Sequence, residues 1–145
     1  MNARYEVEAD GGSRGNPGAA AYGAVVLRDG QVIRQLAGAL GHATNNVAEY
    51  RSVVAALEWI ATQPDGEAAV VHVRMDSKLV VEQMSGRWKI KHPDMKELAL
   101  RARAALKPQQ VTYEWVPRER NRRADALVNE VLDTGDDALV INRSP

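Results

Sequence analysis

Four acidic side chains, Asp10, Glu49, Asp76 and Asp125, stand at element boundaries in this 145-residue sequence. Asp10 closes a strand-like run just before a glycine-rich stretch. Asp76 follows a second such run, and Glu49 and Asp125 fall in the first turns of two expected helices. Singly, each has an ordinary explanation: Asp at a strand end builds a turn, and an acid in a first helical turn complements the helix dipole. Gathered in one place, four carboxylates would repel one another, and such a cluster makes sense only around cations. An all-oxygen donor set, in a chain with no Cys and no paired His, selects Mg2+ or Mn2+. Two such ions ~4 Å apart form a device for in-line phosphodiester cleavage, one activating the attacking water and the other stabilising the leaving 3′ oxygen.

The elements that must position these acids can be read from periodicity. Arg4 to Asp10 alternates, with Tyr5, Val7 and Ala9 on one side and Glu6, Glu8 and Asp10 on the other, as in a strand. A glycine-rich turn over Gly11 to Gly18 follows. Two β-rich runs then flank Arg28-Asp29-Gly30, a hairpin signal. Thr44-Asn45-Asn46 offers N-cap residues for a helix that carries Tyr50, Val53, Val54, Leu57 and Ala61 at helical spacing and stops near Pro64. Val70 to Met75 reads as a buried strand, Ser77 caps a short helix through Met84, and Gly86 closes it. Pro93 opens a third helix, Val111 to Val116 is the last strand, and Asn121 is the expected cap of a final helix. From Gly135 onward no pattern is evident. Three meandering strands followed by alternating units imply an α/β domain, a mixed sheet flanked by helices. If strands one and four are neighbours, Asp10 and Asp76 lie side by side and the two helix acids can converge on them.

Composition narrows the class. The chain is 45% hydrophobic, ordinary for a single globular domain, and its core volume must come from aliphatic residues because there is no Phe. No stretch approaches the ~18 apolar residues of a membrane span, and charges interrupt the N-terminus where a signal peptide needs an apolar run. A cytoplasmic, monomeric protein with no membrane partner is expected. Net charge is zero, yet Arg74 to Arg123 holds thirteen Lys/Arg against six Asp/Glu. That half could follow a phosphate backbone. The glycine-rich segment is not a nucleotide-binding loop: it matches no such signature and leads to a strand instead of a helix.

The joint pattern resembles the type 1 ribonuclease H family. Asp10-Gly-Gly-Ser-Arg-Gly-Asn-Pro-Gly18 is similar to its opening motif, Thr44 to Glu49 to its TNN-x-x-E motif, Met75-Asp76-Ser77 to the motif after strand four, and Trp115 to Asp125 to the last strand, loop and helix start. The resemblance covers residues 3 to 133, in family order. It implies the ribonuclease H-like fold, a five-stranded mixed sheet of order 3-2-1-4-5, over residues 1–134, with 135–145 as a C-terminal tail or linker stub. It implies that Asp10, Glu49, Asp76 and Asp125 hold two Mg2+ ions, with Mn2+ as alternative. The implied reaction is endonucleolytic cleavage of the RNA strand of RNA–DNA hybrids, leaving 5′-phosphate and 3′-hydroxyl ends. The chain looks closest to actinobacterial members, in which this domain is often fused to a C-terminal histidine-phosphatase-type domain.

RNA differs from DNA by its 2′-hydroxyl, a donor and an acceptor at once. Gly11, Gly12 and Gly15 let backbone groups approach a sugar, and the amides of Asn16, Asn45 and Asn46 both donate and accept. The resemblance places Asn16 and Asn45 toward the RNA strand, and Asn46 and Thr44 toward the DNA strand; Gly11, Gly12 and Ser13 are further substrate-binding candidates. Three departures stand out. The loop Pro117 to Arg123 lacks the histidine many members carry there, and Arg118 is the candidate substitute, as a charge stabiliser and not a proton carrier. Some relatives without that histidine also act on double-stranded RNA, a possible side activity. The basic protrusion of some members is replaced by a short connection, Gly86 to Pro93, where Trp88 and Lys89, with Lys91, could stack on and hold the DNA backbone. His92 stands where some members have a phosphate-pocket amide. The alternative to an enzyme is a non-catalytic hybrid-binding module of the same fold, which would be expected to lack at least one of the four acids.

Overall fold

The computed structural model describes residues 3–145. Strand β1 (Arg4–Arg14) pairs antiparallel with β2 (Gly18–Arg28), which pairs antiparallel with β3 (Gln31–Ala43). Helix α1 (Asn45–Ala61) crosses to β4 (Val70–Met75), parallel to β1. Helices α2 (Lys78–Met84) and α3 (Pro93–Ala105) lead to β5 (Val111–Trp115), parallel to β4, and helix α4 (Arg122–Thr134) follows. The sheet order is β5-β4-β1-β2-β3-β6. No helix among the described residues is long and apolar enough to cross a membrane.

The expected 3-2-1-4-5 order is present, extended by a sixth strand. Residues 140–143, in the segment expected to be unpatterned, form β6 (Val140–Arg143) along the free edge of β3. Ile141 turns inward among Val25, Leu27 and Val131, while Arg143 reaches Glu130 and Gln35. One buried side chain in four residues is too short a run to register as periodicity. The strand exists because an open edge of β3 was there to pair with. The glycine-rich turn is likewise shorter than expected. Strand β1 continues through Gly11, Gly12 and Ser13 to Arg14, opposite Ala19 to Tyr22 of β2, so Asp10 sits within a paired strand and not at its end. Glycine weakens strand propensity, but here the ladder to β2 holds the segment extended.

Alternation divides the sheet between two cores. Val7, Ala9, Ala24, Val26, Val71, Val73 and Met75 face α1 and α3, against Tyr50, Val53, Leu57 and Leu98. Ala21, Val25, Leu27 and Ala37 face α4, against Leu127, Val128 and Val131. Buried Tyr50 donates from its hydroxyl to Gln83 Oε1 at 2.6 Å, and Gln83 donates to the Lys89 carbonyl at 3.1 Å, tying α1 and α2 to the connection that follows. Helices on opposite faces thus present their N-terminal turns at one end of β1.

Candidate active site

Two glycines set how close those helices come. A Cβ on Gly11 would lie 2.2 Å from the Ala48 carbonyl carbon and 2.3 Å from the Glu49 nitrogen, so the first turn of α1 rests directly on β1. A Cβ on Gly23 would lie 2.6 Å from the Ala124 carbonyl oxygen, so α4 rests equally closely on β2. These approaches bring Glu49 and Asp125 to the level of Asp10. Parallel pairing of Ala9 with Met75 puts Asp76 at the same level from β4.

Asp10, Glu49 and Asp76 each offer a carboxylate oxygen within 4.8 Å of the others. Asp125 stands beside Asp10 at the rim, within reach of a shared hydrogen bond. Together they line a cleft of about 450 Å3, with Gly11, Gly12, Ser13, Asn45, Asn46, Ser77, Arg118 and Asn129. Burial, then the charges of Asp76 and Asp125, push the Asp10 carboxyl up to about 8 against an opposing Gly11 N–H. Burial, with Asp10 and Asp76 facing it, raises Glu49 well above the usual carboxylate range. Glu49 Oε2 is buried without a hydrogen-bond partner. Such an orphan in a group of acids is compatible with a cation donor set, and its all-oxygen chemistry suits a hard divalent ion.

The substrate-side residues fall into two groups. Ser13 donates to Asn45 Oδ1 from its backbone nitrogen at 2.8 Å and from its hydroxyl at 2.9 Å, and Asn16 Oδ1 accepts from the Asn45 nitrogen at 3.1 Å. The glycine-rich segment is thereby fastened to the start of α1, where Thr44 caps the helix by accepting from the Val47 nitrogen. With its oxygen occupied, Asn45 is oriented to donate from its amide. Asn46 is exposed on the cleft wall. Trp88 and Lys89 lie elsewhere. They are exposed on the α2–α3 connection, Trp88 beside Ile90, Lys96 and Leu100, and neither lines the carboxylate cleft. Arg118, exposed, approaches Asp125 Oδ1 at 3.7 Å.

Asn121 differs from its expected role. It occupies the cap position of α4 but makes no side-chain cap. Its amide turns inward, fully buried, and donates to the Ala9 carbonyl at 2.7 Å and, more distantly, to Asp76 Oδ1 at 3.4 Å. Trp115 donates from its indole nitrogen to the Asp76 carbonyl at 3.2 Å. Sequence reasoning missed both supports, because Asn before a helix reads as a cap and nothing local signals that it faces a neighbouring strand.

Comparison with known proteins agrees with this geometry. Residues 8–131 match the family model described as reverse transcriptase-like. The bifunctional protein Rv2228c of Mycobacterium tuberculosis is 51% identical over 142 residues, 96% of this chain and 38% of that protein, so this chain spans well under half the length of that relative. The solved N-terminal RNase H domain of Rv2228c superposes with a TM-score of 0.83 at 50% identity, covering 91% of this chain and 95% of that one. LC11-RNase H1, isolated from compost and solved in complex with an RNA/DNA hybrid, superposes with a TM-score of 0.83 at 38% identity, covering 90% and 98%. A largely buried acidic cluster at the meeting of β1, β4 and α1, on a sheet of this order and with relatives of this kind, makes the chain a member of the type 1 ribonuclease H family.

Proposed function

We propose that this chain hydrolyses the RNA strand of RNA–DNA hybrids, leaving 5′-phosphate and 3′-hydroxyl ends, with Asp10, Glu49, Asp76 and Asp125 holding two Mg2+ ions, or Mn2+ in their place. The observation that carries the reading is the trio of carboxylates within 4.8 Å, one oxygen of which is buried and unpartnered. A pair of divalent ions, when bound, supplies charge neutralisation to the attacking and leaving oxygens of an in-line displacement. The protein's own share is binding and orientation. Gly11 and Gly12 line the cleft where a ribose would lie, Gly11 with its Cα face taken up by α1, and Asn45, fixed by Ser13 and Asn16, offers its amide to a 2′-hydroxyl or base edge in the minor groove. Thr44 and Asn46 lie on the side proposed for the DNA strand. Arg118 offers a fixed positive charge at the cleft mouth for the scissile phosphate, while Trp88 and Lys89 give a more distant contact with the DNA backbone.

A hybrid labelled on each strand in turn tests the reading. RNA-strand products in Mg2+ or Mn2+, with the DNA strand intact, are expected. DNA-strand cutting, or no cutting with either metal, would reject it, and tight hybrid binding in Mg2+ without products would favour the non-catalytic module. Cleavage of double-stranded RNA is a proposed side activity, read from the same assay with an RNA duplex. The mycobacterial relative is named bifunctional and is longer than this chain. We therefore also propose that the full gene product carries a second domain, of the histidine-phosphatase type that the resemblance to actinobacterial members implies.

A further inference from the structure

Beneath the acids lies a second layer of charge. Glu8 is two residues before Asp10 on β1, only 5% exposed, and directly opposite Arg74 in the β1–β4 register. Arg74 is two residues before Asp76. Arg123, two residues before Asp125, reaches from the first turn of α4 and donates to both Glu8 oxygens, at 2.9 and 2.7 Å. Arg74 completes the group at 3.6 Å from Glu8 and 2.8 Å from Glu6. The three elements β1, β4 and α4 thus each contribute one cleft acid and, two residues earlier, one member of this ion-paired cluster.

The arrangement answers a mechanical problem. Asp10 and Asp76 are held at one level by strand pairing, and Gly11 seats Glu49 against β1. Asp125 has no such ladder: its helix lies across β1, β2 and β3 without strand pairing to fix its level, and its side chain stands outside the tight trio. A forked, bidentate guanidinium–carboxylate pair is the geometry that fixes direction as well as distance. From this juxtaposition we propose that Glu8 and Arg123 are positioning residues that hold the first turn of α4, and so set the separation of Asp125 from Asp10 and with it the affinity for a cation shared between them. This rests on the metal-holding role proposed above.

The test is a calorimetric Mn2+ titration of the whole chain, with Mn2+-induced thermal shift as a second readout. Four variants are compared: Glu8→Gln, Arg123→Met, Arg123→Lys and, as control, Arg143→Met, which breaks the Arg143–Glu130 pair farther along α4. Glu8→Gln and Arg123→Met should weaken Mn2+ binding about 10-fold, the scale seen when groups that orient metal ligands are removed. Arg123→Lys should recover part of the loss, and KM for a hybrid at saturating metal should stay unchanged. Arg143→Met should lower stability without altering Mn2+ affinity. Should Glu8→Gln fail to fold, Arg123→Met decides alone, because Glu8 keeps Arg74. Wild-type Mn2+ affinity in Arg123→Met, or equal weakening in Arg143→Met, would overturn the inference. Absence of Mn2+ uptake by the wild-type chain would instead bring down the metal-holding reading, and this inference with it.

Discussion

Asp10→Asn should make the metal-free protein more stable, and by an amount that depends on pH. The carboxyl is 7% exposed, faces Asp76 and Asp125, and ionises at about 8 in the folded chain against 3.8 when unfolded. Between those values the unfolded state releases a proton that the folded state keeps. The contribution of Asp10 is therefore most favourable below pH 4 and is lost progressively as pH rises to 8. At ~1.4 kcal/mol per pH unit the ceiling on that loss is roughly 6 kcal/mol. The cleft is open to water, and an effective dielectric nearer 20 than 4 lowers the expected gain of the asparagine variant to ~1–3 kcal/mol above pH 8. For a domain of this size that is ~3–10 °C in Tm. Thermal unfolding in EDTA at pH 5 and pH 8.5 measures it: the wild type should lose more Tm than the variant between the two. Mg2+ at pH 8.5 should raise the wild type strongly and the variant little, and the variant should not cleave hybrids. Equal Tm values for the two proteins at pH 8.5, or a larger Mg2+ response in the variant, would refute the argument that these acids are held together against their repulsion.

Three further substitutions probe the positions that build the cleft. Gly11→Ala would press a methyl group into the Ala48–Glu49 backbone, and denaturant unfolding should show a loss of ~1–3 kcal/mol or more together with weaker metal binding, since α1 must retreat. Asn121→Ala leaves the buried Ala9 carbonyl without its donor and should cost ~1–3 kcal/mol in urea, with hybrid affinity unchanged. Arg118→Met should lower kcat on hybrids about 10-fold with little change in Tm, and Arg118→Lys should restore part of it, because an exposed charge next to Asp125 supports chemistry and not the fold.

Strict alternation in β1 and the helical stripe of α1 were legible because each buries one face continuously, and a two- or four-residue period then dominates the sequence. The same logic explains the misreadings. Gly11 to Arg14 has few side chains from which to read a period, so an extended, paired segment looks like a turn until its partner Ala19–Tyr22 is known. Residues 140–143 bury one side chain, and their pairing depends on the edge of β3, a hundred residues away. Among the site residues, Asp10, Glu49 and Asp76 could be singled out because acids beside a glycine-rich segment, early in a helix or just after a buried strand are where distant segments can meet, although Asp10 lies within its strand and not at the end. Trp88 and Lys89 were singled out by residue type and by their place between α2 and α3, and Trp88 lines a groove separate from the carboxylate cleft. Asn121 was hidden by ambiguity: the same side chain caps helices and bridges strands, and only the position of Ala9 decides between them.

Glu8 and Asp10 share one strand and one face, yet their surroundings are opposite. Glu8 is enclosed by two guanidiniums, so its burial is compensated. Asp10, two residues on, is enclosed by other carboxylates and compensated by none of the described side chains. Both are about equally hidden from water, so solvent access does not account for the contrast. Its source is the first turn of α4 and the end of β4, which present arginines at one level and aspartates at the next. A fold that needed only stability would have placed a counter-charge at both levels, since an unpaired buried carboxylate is costly. Leaving the upper level without counter-charges keeps that cost in the metal-free protein, as retained protons or as repulsion, and on the proposed function a divalent cation would recover it. Metal binding and folding are therefore linked, and the Mg2+-dependent gain in Tm should fall steeply as pH drops below 8 and protons compete for the same oxygens.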